Sequence, residues 1–212
     1  MDNKKEQLDA IQDIRALMER SSRFLSLSGL AGIAIGVIAI IGITAAYLYM
    51  GITPSEPAYF ALALNEYGEA KGPIFTFLFA DFILVLIISL IVGVYFSMRK
   101  AKKQALPVWD ATAKRLLINL AIPLIAGGIY CLILLFHGHI ALVAPATLIF
   151  YGLALLNASK YTIDDIRYLG MLEIVIGLIA SFFVGYGLLF WVAGFGVLHI
   201  VYGITIYYKY EQ

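Results

Sequence analysis

Of the 14 acidic residues in this 212-residue chain, Asp81 and Glu173 alone stand inside long apolar runs. A charge at the centre of a spanning helix costs about 2.5–3.5 kcal/mol on insertion scales, so a carboxylate in such a run demands a reason. If the runs are spanning helices, the rise per residue puts Asp81 about 9–12 Å below the outer surface and Glu173 about 8–10 Å in from the inner one. Tyr130 then comes level with Asp81, while His199 and Tyr202 come near the level of Glu173. His199 and Tyr202 are three residues apart and share a helical face, so both can point at one site. Glu173 follows Arg167 by six residues, which separates the two around the helix and directs Glu173 to a partner on another helix, His199 or Tyr202. Two polar layers are therefore expected: an outer one of Asp81 and Tyr130, and an inner one of Glu173, His199 and Tyr202. Carboxylates and histidines in spans are the usual groups of a proton or ion path. The same residues also suit a structural role, a neutral carboxyl bonding a neighbouring helix as polar glue.

Other chemistries find little support. His137-Gly138-His139 offers two imidazoles with no nearby carboxylate or thiolate, a poor metal site and a better interfacial turn. Three histidines, of which only His199 is deep, exclude a four-histidine iron centre and argue against a bis-histidine haem. No phosphate-binding loop, nucleophile elbow or HExxH motif is present. The one cysteine, Cys131, excludes an intramolecular disulfide and reads as a packed thiol. No enzyme activity, metal or cofactor is expected. A net charge of +1 gives phosphates no basic field, so nucleic acid is not an expected partner either.

The elements that must carry these residues follow from composition. Apolar types make up 62% of the chain and charged types 14%, against about 25% charged in an ordinary soluble domain. Apart from Asp81 and Glu173, the charges are confined to residues 1–23, 56–71, 99–115, 160–167 and 209–211. Between them lie runs long enough to span a bilayer, which takes about 20 residues each. Six spans are expected, at about 24–50, 73–98, 116–136, 140–158, 167–186 and 188–208. With the N-terminus inside, the inner segments hold 14 of the 15 Lys and Arg and the outer ones only Lys71. That asymmetry predicts cytoplasmic termini on both sides of the 24–210 membrane domain. The first 23 residues have no apolar signal-peptide core. Leu8, Ile11, Ile14, Leu17 and Met18 share a broad arc there, which predicts an amphipathic cytoplasmic helix lying on the membrane or docking on the loops. Ser55, as a helix cap ahead of Pro57, predicts a short interfacial helix to Leu64. Asp110 reads as a cap for the third span, and Thr162-Ile163-Asp164-Asp165 as a variant capping box.

Ser28, Gly32 and Gly36 form a small-residue row that predicts close helix packing, within the bundle or in a homo-oligomer. Val92-Gly93-Val94-Tyr95, Tyr151-Gly152-Leu153-Ala154 and Tyr202-Gly203-Ile204-Thr205 close the even spans alike, each ahead of a positive charge. Ile35-Gly36-Val37-Ile38, Gly127-Gly128-Ile129-Tyr130 and Ile176-Gly177-Leu178-Ile179 centre the odd ones. These phrases suggest three helical hairpins related by triplication. In its span pattern and Gly-aliphatic phrasing the chain resembles six-helix bacterial inner-membrane families built from hydrophobic hairpin repeats, the HdeD-like acid-resistance family among them. That resemblance implies an inner-membrane protein without an established catalytic site. The expected fold is an all-α, six-span polytopic bundle. The expected function is a small-solute or ion transporter or channel, with proton coupling through the buried layers. The alternative is a non-catalytic scaffold or stress-response component recruiting a partner through its N-terminal helix.

Overall fold

The computed structural model describes residues 27–56, 59–64, 72–104 and 109–211. The amphipathic helix expected over 2–23 lies outside these residues. The described chain is all-helical, with no strand among its elements. Its long helices are α1 (Gly29–Met50), α2 (Pro73–Lys103), α3 (Ala111–Phe136), α4 (Val143–Ala158) and α5 (Asp165–Phe182). The last run is compound: α6 (Gly187–Trp191), a π-helical stretch (Val192–Leu198) and α7 (His199–Tyr210). Five of these runs are long and apolar enough to cross a membrane; α5, with 18 residues, carries three charged residues, Asp165, Arg167 and Glu173.

Local chemistry explains the helix ends. Gly138, at φ 75°, closes α3: its N–H bonds Leu135 O and the His139 N–H bonds Leu134 O. This paired pattern needs a left-handed residue, which glycine supplies without a Cβ penalty. Gly51 closes α1 in the same way, at φ 67°. Asp110 caps α3, accepting from the Ala113 N–H at 2.7 Å. The expected capping box, Thr162-Ile163-Asp164-Asp165, lies at the start of α5. Asp164 is the cap residue of α5 without a side-chain cap bond, and the Asp165 carboxylate is held by Lys209 Nζ at 3.0 Å and Tyr210 Oη at 2.7 Å. The short helix expected from Ser55 to Leu64 is helical in part among the described residues. Thr53, Ser55 and Glu56 bond one another in a turn, and a short 3-10 helix follows at Tyr59–Ala63.

Packing is organised by glycines. α1 lies against the last run so closely that a Cβ on Gly32 would sit 2.9 Å from the Gly203 Cα, and one on Gly36 would sit 2.6 Å from Gly196 O. Gly29 completes this face opposite Gly203 and Tyr207. The small-residue row beginning at Ser28 thus lines an intramolecular seam. α4 and α5 meet in the same manner, Gly152 against the Gly170 carbonyl and Gly177 against Ile149. α2 packs on α1, and α3 on α4. The last run therefore makes its closest approach to α1 rather than to its neighbour in sequence, α5. One core cluster joins Ala39, Ile43, Val85, Ala144, Leu148 and Trp191; a second joins Leu155, Ile163, Ile166, Leu169 and Ile206. α2 and α3 bury little of their length and turn large aliphatic side chains outward, such as Ile91 and Ile125. A helix apolar all round suits a lipid solvent.

Candidate functional site

Glu173 on α5 and His199 at the start of α7 meet in the middle of the bundle. Glu173 is fully buried and His199 is 4% exposed. His199 Nδ1 lies 3.5 Å from Glu173 Oε1 and 3.1 Å from the carbonyl oxygen of Gly194. A carbonyl can only accept, so Nδ1 carries a proton and donates it to Gly194; in the neutral form of the ring that is its one N–H. Nε2 is then the acceptor, and Tyr151 Oη on α4 lies 2.8 Å from it, placed to donate. The imidazole is thereby satisfied on both sides. Neither carboxyl oxygen of Glu173 has a hydrogen-bond partner among the described residues. A neutral imidazole at 3.5 Å leaves the carboxyl group without a donor or a counter-charge, and burying an unpaired charge is expensive.

The backbone makes room for this arrangement. A Cβ on Gly194 would collide with Glu173 Oε2 and Leu148 Cδ2, so glycine there allows the carboxyl group to lie against the π-helical stretch. π-helical turns are rare and concentrate at functional sites. Rings close the site: Phe195 lies 5.0 Å from the Tyr151 ring, 5.9 Å from His199 and 4.7 Å from Trp191. The tyrosine and imidazole rings themselves stack at 5.4 Å. Such packing fixes the imidazole plane and excludes water from the Glu173 side.

Tyr202, expected in the inner layer, is not among the hydrogen-bond partners of His199. One turn beyond His199, it packs beside the second core cluster and faces Asp165 and Tyr168. Tyr151, which joins the trio, belongs to the Tyr-Gly phrase at the end of the fourth span and carries no polar anomaly in sequence. The two outer-layer residues face different neighbours. Asp81, half-buried, points at Gly42 of α1, whose added Cβ would sit 3.3 Å from Oδ2. Tyr130 packs its ring 5.6 Å from Phe150 of α4 and is 45% exposed. Among the described residues, no cluster of three or more His, Cys, Asp or Glu could hold a metal ion.

A second polar cluster sits where three helix ends meet. Glu211 Oε1 accepts from the Gly29 N–H at 2.6 Å and from Lys100 Nζ at 3.3 Å, and Ser28 Oγ donates to Oε2 at 3.4 Å. Lys100 Nζ also donates to Leu27 O at 2.6 Å. A carboxylate here answers the unpaired amide and the positive dipole at the start of α1. Close by on the same run, hydrogen bonds from Tyr210 and Lys209 outweigh the partial burial of Asp165 and hold its carboxyl below the ordinary carboxylate range. Comparison with family models, with curated proteins and with solved structures gives no match.

Proposed function

We propose that the chain is a polytopic inner-membrane protein of six crossings that moves a small solute or ion in step with protons bound at Glu173. The observation that carries this reading is a fully buried carboxyl group with no hydrogen-bond donor, 3.5 Å from a histidine, on the helices that cross the bundle. A structural carboxyl would be expected to have its donors in place. A carboxyl that gains and loses a proton gains from being held without them.

The topology with both termini cytoplasmic draws on the helix ends. The start of α1, the end of α2 and the residue after α7 meet at Glu211, and the start of α5 holds Lys209 and Tyr210 of α7. Asn157 near the end of α4 donates to Asn119 O of α3 at 2.9 Å. An even number of crossings between these ends supports the orientation that the Lys and Arg distribution predicts. α5, polar at its start, is the fifth crossing in chain order and completes the six.

Full-length protein in liposomes carrying a trapped pH-sensitive dye tests the reading. An imposed pH gradient should decay faster than in empty liposomes, with protons alone or with one member of a panel of small cations, anions and amines. Glu173→Gln and His199→Gln should return the decay to the empty-liposome rate while still eluting as folded protein. Decay in wild-type liposomes no faster than in empty ones across the panel would remove transport. Glu173 and His199 would then be polar glue in a non-catalytic scaffold that recruits a partner through residues 1–23.

A further inference from the structure

The geometry points to Tyr151 as the third member of a proton relay, passing protons through the two ring nitrogens of His199 to Glu173. The inference rests on the proposed proton-coupled role of Glu173. Its geometric basis is separate: Tyr151 bonds Nε2 at 2.8 Å, and Glu173 faces Nδ1 at 3.5 Å, on the opposite side of the same ring. Tyr151 from α4 and Glu173 from α5 are the titratable side chains that face His199; α1 presents the glycine backbone at Gly32. Of the trio, Tyr151 alone is not fully buried, and the relay takes its proton in at that hydroxyl.

The step balances as follows. A protonated water gives its proton to Tyr151 Oη as the tyrosine O–H bond breaks and an Nε2–H bond forms. The Nδ1–H bond breaks and an Oε1–H bond forms on Glu173, once the 3.5 Å separation has shortened into hydrogen-bond range. Water is left on the outside, Tyr151 is unchanged, His199 has switched tautomer and Glu173 has become a carboxylic acid. In the product, Oε1–H donates back to the bare Nδ1, and Nε2–H donates to Tyr151 Oη. The carboxyl group thereby gains the partner it lacks in the starting arrangement. Gly194 O gives up its ring donor in exchange, on a π-helical stretch whose backbone bonds are already irregular. In the second state Glu173 has its partner and Gly194 O has lost its ring donor.

Infrared spectroscopy of the full-length protein in lipid nanodiscs tests this without knowledge of a solute. The carboxylic-acid C=O band lost in Glu173→Gln identifies the protonated group, and its shift after transfer to D2O gives the exchange rate. Tyr151→Phe keeps the ring stacking and removes the hydroxyl, and should slow that exchange about 100-fold. Tyr202→Phe, which removes a hydroxyl outside the trio, should leave it unchanged. Equal rates in wild type and Tyr151→Phe would overturn the relay. Should Tyr151→Phe not fold, nitrogen-15 NMR of labelled histidine in the wild type decides: His199 should pass from the Nδ1–H to the Nε2–H tautomer as the Glu173 acid band grows. A fixed tautomer would overturn the relay. Slowed exchange alongside absent flux would keep the relay and remove transport; Glu173-dependent flux with unslowed exchange would do the reverse.

Discussion

Glu173 and Glu211 are both carboxylates set against glycines of a crossing helix, and they are treated in opposite ways. Glu211 is surrounded by donors: an amide at the start of α1, a serine hydroxyl and a lysine ammonium. Glu173, more deeply buried, has none. The donors at Glu211 come from helix ends, where free amides and snorkelling lysines are at hand. Glu173 lies in mid-helix against another helical run, where backbone N–H groups bond within their own helices and a side chain has to serve. The nearest one, His199, spends its Nδ1 proton on Gly194. The contrast separates a carboxylate that ties helices together from one held ready to change its protonation.

The comparison can be broken at several points. The largest effect is expected at the clamp. Lys100→Met leaves Glu211 with a buried charge short of its counter-ion and should lower stability by about 3 kcal/mol, measured by detergent unfolding. A change under a third of that would mean that Glu211 is as little supported as Glu173. Next comes the seam between α1 and the last run, which brings Glu211 to Gly29. Gly203→Ala forces a methyl group into the α1 backbone and should lower stability by about 2 kcal/mol, the usual size of overpacking. Gly128→Ala, at a position with open space, is its control and should be neutral or nearly so. At Glu173 itself, Glu173→Gln keeps the shape of the side chain and should change stability by no more than about 1 kcal/mol. A loss as large as that at Lys100 would make Glu173 structural and erase the distinction.

The smallest effect concerns pH. Asp165 is held below its ordinary pKa of 3.8 by Tyr210 and Lys209, against partial burial. A depressed carboxyl stabilises the fold above its unfolded value and loses that contribution as the pH falls through the folded one. Acid unfolding should therefore show a component that begins near pH 4, and Asp165→Asn should remove it. A component of the same size in Asp165→Asn would assign it to another carboxylate.

Much of the architecture was legible because a bilayer leaves a coarse signature. Long apolar runs broken by charge clusters specify an all-helical chain with helices able to cross a membrane, and that is what forms. Glu173 and His199 stood out because ionisable residues inside such runs are anomalies. Tyr151 did not: an amphipathic ring is unremarkable in an apolar helix, and its role depends on where α4 crosses α7. The grouping of Tyr202 with Glu173 rested on helical rise and on a face shared with His199, and neither fixes which neighbouring helix that face meets. The π-helical stretch was equally hidden, because its glycines read as packing residues. Glu211 lies beyond the last apolar run and gave no local hint of the α1 terminus it caps. In each case the missing information was a crossing between helices distant in sequence.

The central claim is that Glu173 takes up and releases a proton inside the folded bundle. A pH-difference infrared spectrum of the full-length protein in a bilayer tests it most directly. The account predicts a carboxylic-acid band that grows and bleaches reversibly with pH, disappears in Glu173→Gln and persists in Asp81→Asn. A spectrum with no Glu173-dependent band across the pH range in which the protein stays folded would contradict it.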